Sequence, residues 1–161
     1  APGVEILWRH KETLNFPAYR LSSSWINARR DYYYYTMTAV PTFVSEHNLS
    51  VVYKRFLPAI NTYASLTYSF ASSRPYHDPN FNGFMNAKTQ SYNDISLSLT
   101  YLMQMFGKQS FLHLMVNTLA GFDIVYGYNY SNTPNAAGKY ESTPIKSPFV
   151  RQVILLISIM L

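Results

Sequence analysis

The chain has 161 residues, of which only 13% are charged and 17% are aromatic, and it contains 15 tyrosines but no cysteine. The lack of cysteine excludes a disulfide-bonded scaffold. The net charge of +5 arises without a cluster of Lys and Arg, so no nucleic-acid partner is expected. No run of about 18 apolar residues occurs, which excludes a transmembrane helix. Soluble domains usually carry about 25% charged residues, so another environment is favoured.

Alternation of apolar and polar residues predicts seven β-strands along the chain. In chain order, the predicted strands cover residues 3–10, 17–28, 48–56, 59–72, 94–105, 110–126 and 150–161.

The fifth predicted strand shows the alternation most clearly. One face carries apolar residues, namely Ile95, Leu97, Leu99, Tyr101, Met103 and Met105. The other face carries Asp94, Ser96, Ser98, Thr100 and Gln104, with Leu102 as the exception. The odd positions of the seventh predicted strand, from 153 to 161, are likewise apolar. In the sixth predicted strand, Leu112, Leu114 and Val116 form the apolar side, and His113 and Asn117 lie on the opposite side. Strands of about 10 residues that are apolar on one side and hydroxyl-lined on the other suit a barrel wall between lipid and a wet lumen.

The predicted connections alternate in length. Short ones lie at residues 11–15, 57–58 and 106–109, and long ones at 27–47, 73–93 and 127–148. Short periplasmic turns and long outer loops are typical of outer-membrane barrels. Counting back from the seventh strand places the start of the first strand outside the cell. Single-chain bacterial barrels have even strand numbers. We therefore expect residues 1–161 to form the C-terminal part of a larger barrel domain, with both edge strands unpaired within this chain.

Four segments resemble sequences near the end of TonB-dependent outer-membrane receptors of the Bacteroides type: GVEILWR at 3–9, LTYSFASSRPY at 66–76, YNDISLSLTYL at 92–102 and NTLAGFDIVYGY at 117–128. The resemblance implies an all-β fold, an antiparallel transmembrane β-barrel of about 22 strands to which this chain contributes about seven. It also implies nutrient uptake across the bacterial outer membrane, with energy relayed from the inner membrane.

The same resemblance implies a set of partners. They are outer-membrane lipid, the rest of the barrel and its plug, TonB acting through a plug that this sequence does not contain, and a surface lipoprotein over the barrel mouth. No cofactor and no enzymatic activity are expected. The four histidines are scattered without ligand spacing, and no G-x-S-x-G motif marks a nucleophile.

The long loops supply the candidate ligand-binding residues, because loops on a rigid scaffold commonly carry recognition. The candidates are Tyr33, Tyr35, Arg74, Tyr76, Asp78 and Tyr128. Their aromatic rings could stack on a ligand. For the tyrosine run at 32–35, an outer aromatic girdle is the favoured alternative. For Arg74 and Tyr76, a structural anchor that sets the exit angle of the loop is favoured.

Two other architectures remain open at the level of sequence. The first is a complete eight-stranded outer-membrane barrel acting as an adhesin, a narrow pore or a lipid-modifying enzyme. It would require a ladder between residues near Ile6 and residues near Ile157. The second is a soluble β-sandwich or ligand-binding barrel. It would bury Leu97 and Ile157 in a core and turn Ser96 and Ser98 outward.

Overall fold

In the computed structural model of the protein, residues 1–11, 16–33 and 35–160 are described, with only the backbone of Tyr35 and Thr36. The regular elements are strands, apart from a 3₁₀ turn at Pro58–Ile60. No helix in these ranges is long and apolar enough to cross a membrane. The strands are β1 (Gly3–His10), β2 (Ala18–Ile26), β3 (Arg30–Tyr32), β4 (Tyr35–Ala39), β5 (His47–Leu57), β6 (Thr62–Ala71), β7 (Pro75–Tyr76), β8 (Ala87–Lys88), β9 (Tyr92–Met105), β10 (Lys108–Asn117), β11 (Val125–Tyr130), β12 (Ser142–Lys146) and β13 (Gln152–Ile159).

The seven longer predicted strands form one antiparallel sheet in the order β1-β2-β5-β6-β9-β10-β13. Each strand therefore pairs with the next long strand of the sequence, as in a meander. β1 and β13 are the two edges, and the described residues form no ladder between them. The expectation of an open sheet is confirmed. Residues near Ile6 do not pair with residues near Ile157, so the complete eight-stranded barrel is not formed by the described residues.

Cross-strand register places nearly all the predicted apolar positions on one face of the sheet. Across β9, β10 and β13, Leu99 lies opposite Leu114, which lies opposite Leu155. On the other side of β9, Leu97 lies opposite Leu66, which lies opposite Tyr53. Directly opposed residues point to the same side. The apolar face, as we call it, therefore extends over all seven strands, although Ser23, Arg55 and Asn93 also lie on it.

The polar face, on the other side, is lined mainly by hydroxyl groups between β2 and β9. Ser22 lies opposite Ser50, which lies opposite Ser69. Towards the β13 edge this face becomes mixed, and it carries apolar residues that the alternation did not predict as a group: Phe111, Met115, Ile154 and Leu156. The predicted inward positions of His113 and Asn117 lie on the polar face.

The sheet has no hydrophobic core within the described part of the chain. Pro41 and Val44 are the only buried apolar residues there, although 48% of the sequence is hydrophobic. Ile157 is 54% exposed, as expected for an outward-facing residue. Leu97, in a central strand, is half-buried, and so are Ser96 and Ser98. The described residues thus form one large two-faced sheet, and no second large sheet among them packs on its apolar face.

Two of the predicted strand bounds need a large correction. The sixth strand was expected to reach residue 126, but β10 ends at Asn117 because Thr118 and Gly121 adopt positive φ angles of 51° and 67° and turn the chain. The fourth strand begins at Thr62 because residues 58–60 form the 3₁₀ turn. The end of the seventh predicted strand, at Leu161, and most of the short turn at 11–15 lie outside the described residues.

The sequence predicted loops for the three long connections, but the structure shows regular elements within them. Each contains a two-stranded hairpin, formed by β3 and β4, by β7 and β8, and by β11 and β12. The short hairpins lie at the same end of the main sheet, because all three long connections leave and re-enter the sheet there.

Candidate functional site

The three long connections join one another through side-chain contacts at one end of the sheet. We name them the first loop (residues 27–46), the second loop (72–91) and the third loop (118–151), and together they form the loop layer. Four of the six candidate ligand residues have described side chains in the second and third loops. The loop layer is therefore where the predicted binding residues can be compared with the structure.

Aromatic contacts link the first and second loops. The ring of Tyr32 meets that of Phe84 edge-on, with centroids 4.8 Å apart. The guanidinium of Arg30 lies 5.7 Å from the centroid of Tyr32, within cation–π range. The ring centroid of His77 also lies 6.1 Å from that of Phe84. Tyr32 is half-buried by these contacts, so it acts in the structure as a bridge between loops.

The second and third loops are joined by a reciprocal pair of hydrogen bonds. The side-chain Nδ2 of Asn80 donates to the carbonyl oxygen of Tyr140 at 3.0 Å, and the backbone N–H of Tyr140 donates to Asn80 Oδ1 at 2.7 Å. The amide side chain thus pairs with the main chain 60 residues away as a neighbouring strand would. The rings of Tyr76 and Tyr128 pack nearby with centroids 5.1 Å apart.

Asp78 organises the second loop from a buried position. Its Oδ1 accepts a hydrogen bond from the N–H of Asn80 at 2.9 Å, which holds a tight turn typical of aspartate. Asn86 closes the same loop, because its Oδ1 accepts from Asp78 N and its Nδ2 donates to the carbonyls of Asp78, Phe81 and Gly83.

Tyr130 extends this polar group into the third loop. Partial burial, together with hydrogen bonding to the side chains of Tyr76 and Asp78, raises the pKa of the Tyr130 hydroxyl above its ordinary value of 10.0. A phenol whose neutral form is favoured in this way remains a hydrogen-bond donor at all physiological pH values. Tyr76, Asp78, Tyr128 and Tyr130 therefore form one polar and aromatic cluster between two loops.

The structure brings together three of the predicted ligand residues and separates the rest. Tyr76, Asp78 and Tyr128 meet in this cluster. Tyr33 lies at the turn of the first hairpin with 95% of its surface exposed, and the side chain of Tyr35 lies outside the described part. Arg74 is exposed, and its backbone pairs with Thr89 through the bonds Arg74 N to Thr89 Oγ1 and Thr89 N to Arg74 O.

Sequence reasoning missed several residues of the loop layer, namely Asn80, Phe84, Asn86, Tyr130 and Tyr140. One signal was available for Tyr130, because Tyr126, Tyr128 and Tyr130 alternate and so predict a short strand. The roles of Asn80 and Asn86 had no such signal, since loop asparagines are common and their partners here are main-chain atoms.

The loop layer offers ring faces, amides and hydroxyl groups for noncovalent recognition. Within the described ranges, no three His, Asp or Glu residues are close enough together to hold a metal ion. The exposed residues Tyr33 and Arg74 belong to the same loop layer as the half-buried cluster of Tyr76, Asp78, Tyr128 and Tyr130. Comparison of the chain with protein-family models, curated proteins and solved structures returns no match.

Proposed function

We propose that the chain forms part of the wall of a transmembrane β-barrel in the bacterial outer membrane, and that the barrel belongs to a TonB-dependent receptor that takes up a nutrient. The observation that carries the barrel proposal is the uncovered apolar face, which runs across all seven strands, while the opposite face is lined mainly by hydroxyl groups between β2 and β9. Lipid would cover the apolar face, and water in the lumen would solvate the other.

The strand lengths support this proposal. The seven strands of the main sheet have between 8 and 14 residues, and about 9–11 tilted residues cross a bilayer. Aromatic residues also gather on the apolar face near the short turns. Tyr19 packs between Trp8 and Tyr53, with ring centroids 6.5 Å and 5.3 Å apart. Trp and Tyr rings at a strand end suit the boundary between lipid and water.

The edges of the sheet need partners in the proposed environment. Unpaired backbone groups in lipid cost several kcal/mol each. Further strands of the barrel must therefore pair with β1 and β13. We propose that these strands belong to the remainder of the receptor, which would also contain the plug that contacts TonB.

The nutrient-uptake part of the proposal is supported by the family resemblance and by the loop layer. Its loops are connected to one another, which gives recognition residues a defined geometry at the mouth of the proposed barrel. A surface lipoprotein would contact the same loops. The resemblance supports that partner.

Residues 1–161 contain no cysteine, so a cysteine scan in an otherwise cysteine-free form of the intact protein tests the membrane proposal directly. Single cysteines would replace successive residues from Ile95 to Thr100 in the intact protein, reconstituted in lipid vesicles. A water-soluble maleimide should label cysteines at 96, 98 and 100 and spare those at 95, 97 and 99. The same series after extraction into denaturant should label uniformly. Equal labelling of both sets in lipid would contradict the proposal.

The uptake proposal needs a separate test. Cells expressing the intact protein should accumulate its nutrient only while the inner membrane is energised, and surface binding should persist when a protonophore removes that energy. Uptake that is unaffected by the protonophore would exclude TonB-dependent transport and leave the barrel proposal intact.

A further inference from the structure

Three cations lie side by side on the polar face near the short turns. Arg9 of β1 is directly opposite Arg20 of β2. Arg20 is in turn opposite Val52 of β5, which places Lys54 in the diagonal position on the same face. Directly opposed residues have Cβ atoms about 4.5–5.5 Å apart, and diagonal ones lie about 7–8 Å apart. The two guanidinium groups therefore start from adjacent positions of the sheet.

No acidic side chain within the described ranges neutralises this group. The ion pair found there joins Lys146 and Asp123 in the third loop. Arg9 and Arg20 are both exposed and make no side-chain hydrogen bond to the described residues. The ammonium of Lys54 lies 4.4 Å from the ring centroid of Tyr63, which leaves its charge uncompensated by an anion.

The charge of the whole sheet is distributed in the same uneven way. Near the short turns the sequence has six cations, Arg9, Lys11, Arg20, Lys54, Arg55 and Lys108, and a single acidic residue, Glu12, which lies outside the described residues. The rest of the chain has the other seven cations and the other seven acids, because the totals are 13 and 8. The positive charge of the protein is thus concentrated at one end of the sheet.

A hollow of about 270 Å³ lies on the same face towards the loop end of the sheet, and Ser22 is its lining residue nearest in sequence to Arg20. Its lining combines the polar residues Ser22, Ser24, Asn48, Ser50 and Ser69 with Leu49, Phe70, Ala71 and Tyr92. Ser22 follows Arg20 by two positions on β2 and so points to the same side. Hydroxyl and amide donors therefore continue from the arginine pair into the hollow.

We propose that Arg9 and Arg20, assisted by Lys54, form a binding site for an oxyanion, either a phosphate or a carboxylate group. Like charges in directly opposed positions destabilise a sheet, and a bound anion removes that repulsion. Guanidinium groups bind carboxylate and phosphate oxygens in bidentate fashion. The proposal rests on the register of the sheet and is independent of the membrane. In the proposed barrel the site would face the lumen, where rings of cations favour anions.

The test is titration of the intact protein in detergent with inorganic phosphate and, separately, with succinate, each at matched ionic strength in sodium chloride. The double variant Arg9→Gln with Arg20→Gln should weaken binding by about tenfold or more, since it removes both guanidinium groups and their charge-assisted hydrogen bonds to the anion. The control removes the same charge elsewhere, through Arg29→Gln with Lys88→Gln, and should bind as the parent does. The titration that shows binding identifies the class of anion, with inorganic phosphate representing phosphates and succinate representing carboxylates.

A second variant separates loss of binding from loss of folding. Arg20→Glu places a carboxylate opposite Arg9, so it should abolish anion binding while raising the unfolding midpoint in denaturant. Failure of the parent protein to bind either anion, or equal binding by the parent and the Arg9→Gln, Arg20→Gln variant, would overturn the proposal. Neither result bears on the cysteine-labelling test of β9, so the anion site and the proposed barrel can fail independently of each other.

Discussion

At the scale of single residues, Leu97 gives the most direct energetic test of the apolar face. In the proposed membrane, Leu97→Arg should destabilise the protein by about 2–4 kcal/mol, the cost of a lipid-facing cation near the bilayer centre. Ser98→Arg changes the next residue on the polar face and should cost much less. Unfolding by urea in lipid vesicles measures both. Equal costs at positions 97 and 98 would argue that neither face contacts lipid.

The Tyr130 hydroxyl gives the loop layer a defined response to alkaline pH. Its pKa is higher in the folded protein than the 10.0 of an unperturbed tyrosine, through burial first and then hydrogen bonding to Tyr76 and Asp78. Above the ordinary pKa, unfolding releases a proton that the folded state retains. The stabilisation is therefore complete below pH 10 and decreases above it.

Protease cleavage of the second and third loops, followed from neutral to alkaline pH, measures this response. Cleavage should accelerate above pH 10 in the parent protein. Tyr130→Phe should be cleaved faster at neutral pH and should show a weaker alkaline increase, because it lacks the ionisable hydroxyl. An unchanged alkaline increase in Tyr130→Phe would assign the effect to another group.

Asn80 offers a matched pair of variants within one loop. Asn80→Ala removes both hydrogen bonds to Tyr140 and should cost about 1 kcal/mol of local stability, since these bonds are partly exposed and each contributes about 0.5–1.5 kcal/mol. Exchange of the Tyr140 amide hydrogen should then be faster. Asn82→Ala, at an exposed position without a hydrogen bond to the described residues, should leave that exchange rate unchanged.

At the scale of elements, the hairpin between β9 and β10 contains an avoidable strain. Its two central residues, Phe106 and Gly107, have φ angles of 53° and 74°. Positive φ at both positions is typical of a type I′ turn, which prefers Asn or Gly. Phe106→Asn should therefore stabilise the hairpin by about 1 kcal/mol, and Gly107→Ala should destabilise it by a similar amount.

Thermal or denaturant unfolding of the two turn variants checks this expectation. The ring of Phe106 is 89% exposed, so its replacement costs no protein packing. A loss of stability in Phe106→Asn that occurs in lipid but not in detergent would show that the ring contributes more as a membrane anchor than it costs as a turn residue.

The long strands were predictable because apolar and polar residues alternate along each of them over many positions. β1 lies where it was predicted, at Gly3–His10, and the alternation within β9 was read in the correct phase. The premature end of β10 was not predictable, since Thr118 takes a backbone conformation that threonine rarely adopts. The hairpins within the loops were missed because their strands have only two to six residues, which is too short for an alternating pattern to be recognised.

The candidate site was predictable only in its residue types. Tyr76 and Tyr128 were both recognised as loop aromatics, but their contact depends on how two hairpins far apart in sequence approach each other. Asp78 was predicted as a candidate ligand-binding residue, whereas it is buried and organises its own loop. The arginine pair could not be predicted from the sequence either, because Arg9 and Arg20 become neighbours only through the register of β1 and β2.

At the scale of the whole molecule, the sheet and the loop layer divide structural and recognition roles. The sheet supplies two chemically different faces and leaves its edges open. The loop layer contains most of the long-range side-chain contacts outside the sheet, and these contacts connect all three loops. A change within one loop is therefore expected to affect its neighbours, as the joint between Tyr32 and Phe84 illustrates.

Excision of loop segments in the intact protein tests whether recognition resides in this layer. The segments between the hairpin strands, residues 77–86 of the second loop and 131–141 of the third, would be replaced separately by Asn-Gly turns. We expect each excision to weaken nutrient binding at the cell surface and to reduce uptake, because either one removes the Asn80–Tyr140 joint. Replacement of the short turn at 106–107 by Asn-Gly is the control and should preserve both activities. If binding and uptake survive both excisions in a barrel that still assembles, these loops are structural and recognition resides elsewhere in the receptor.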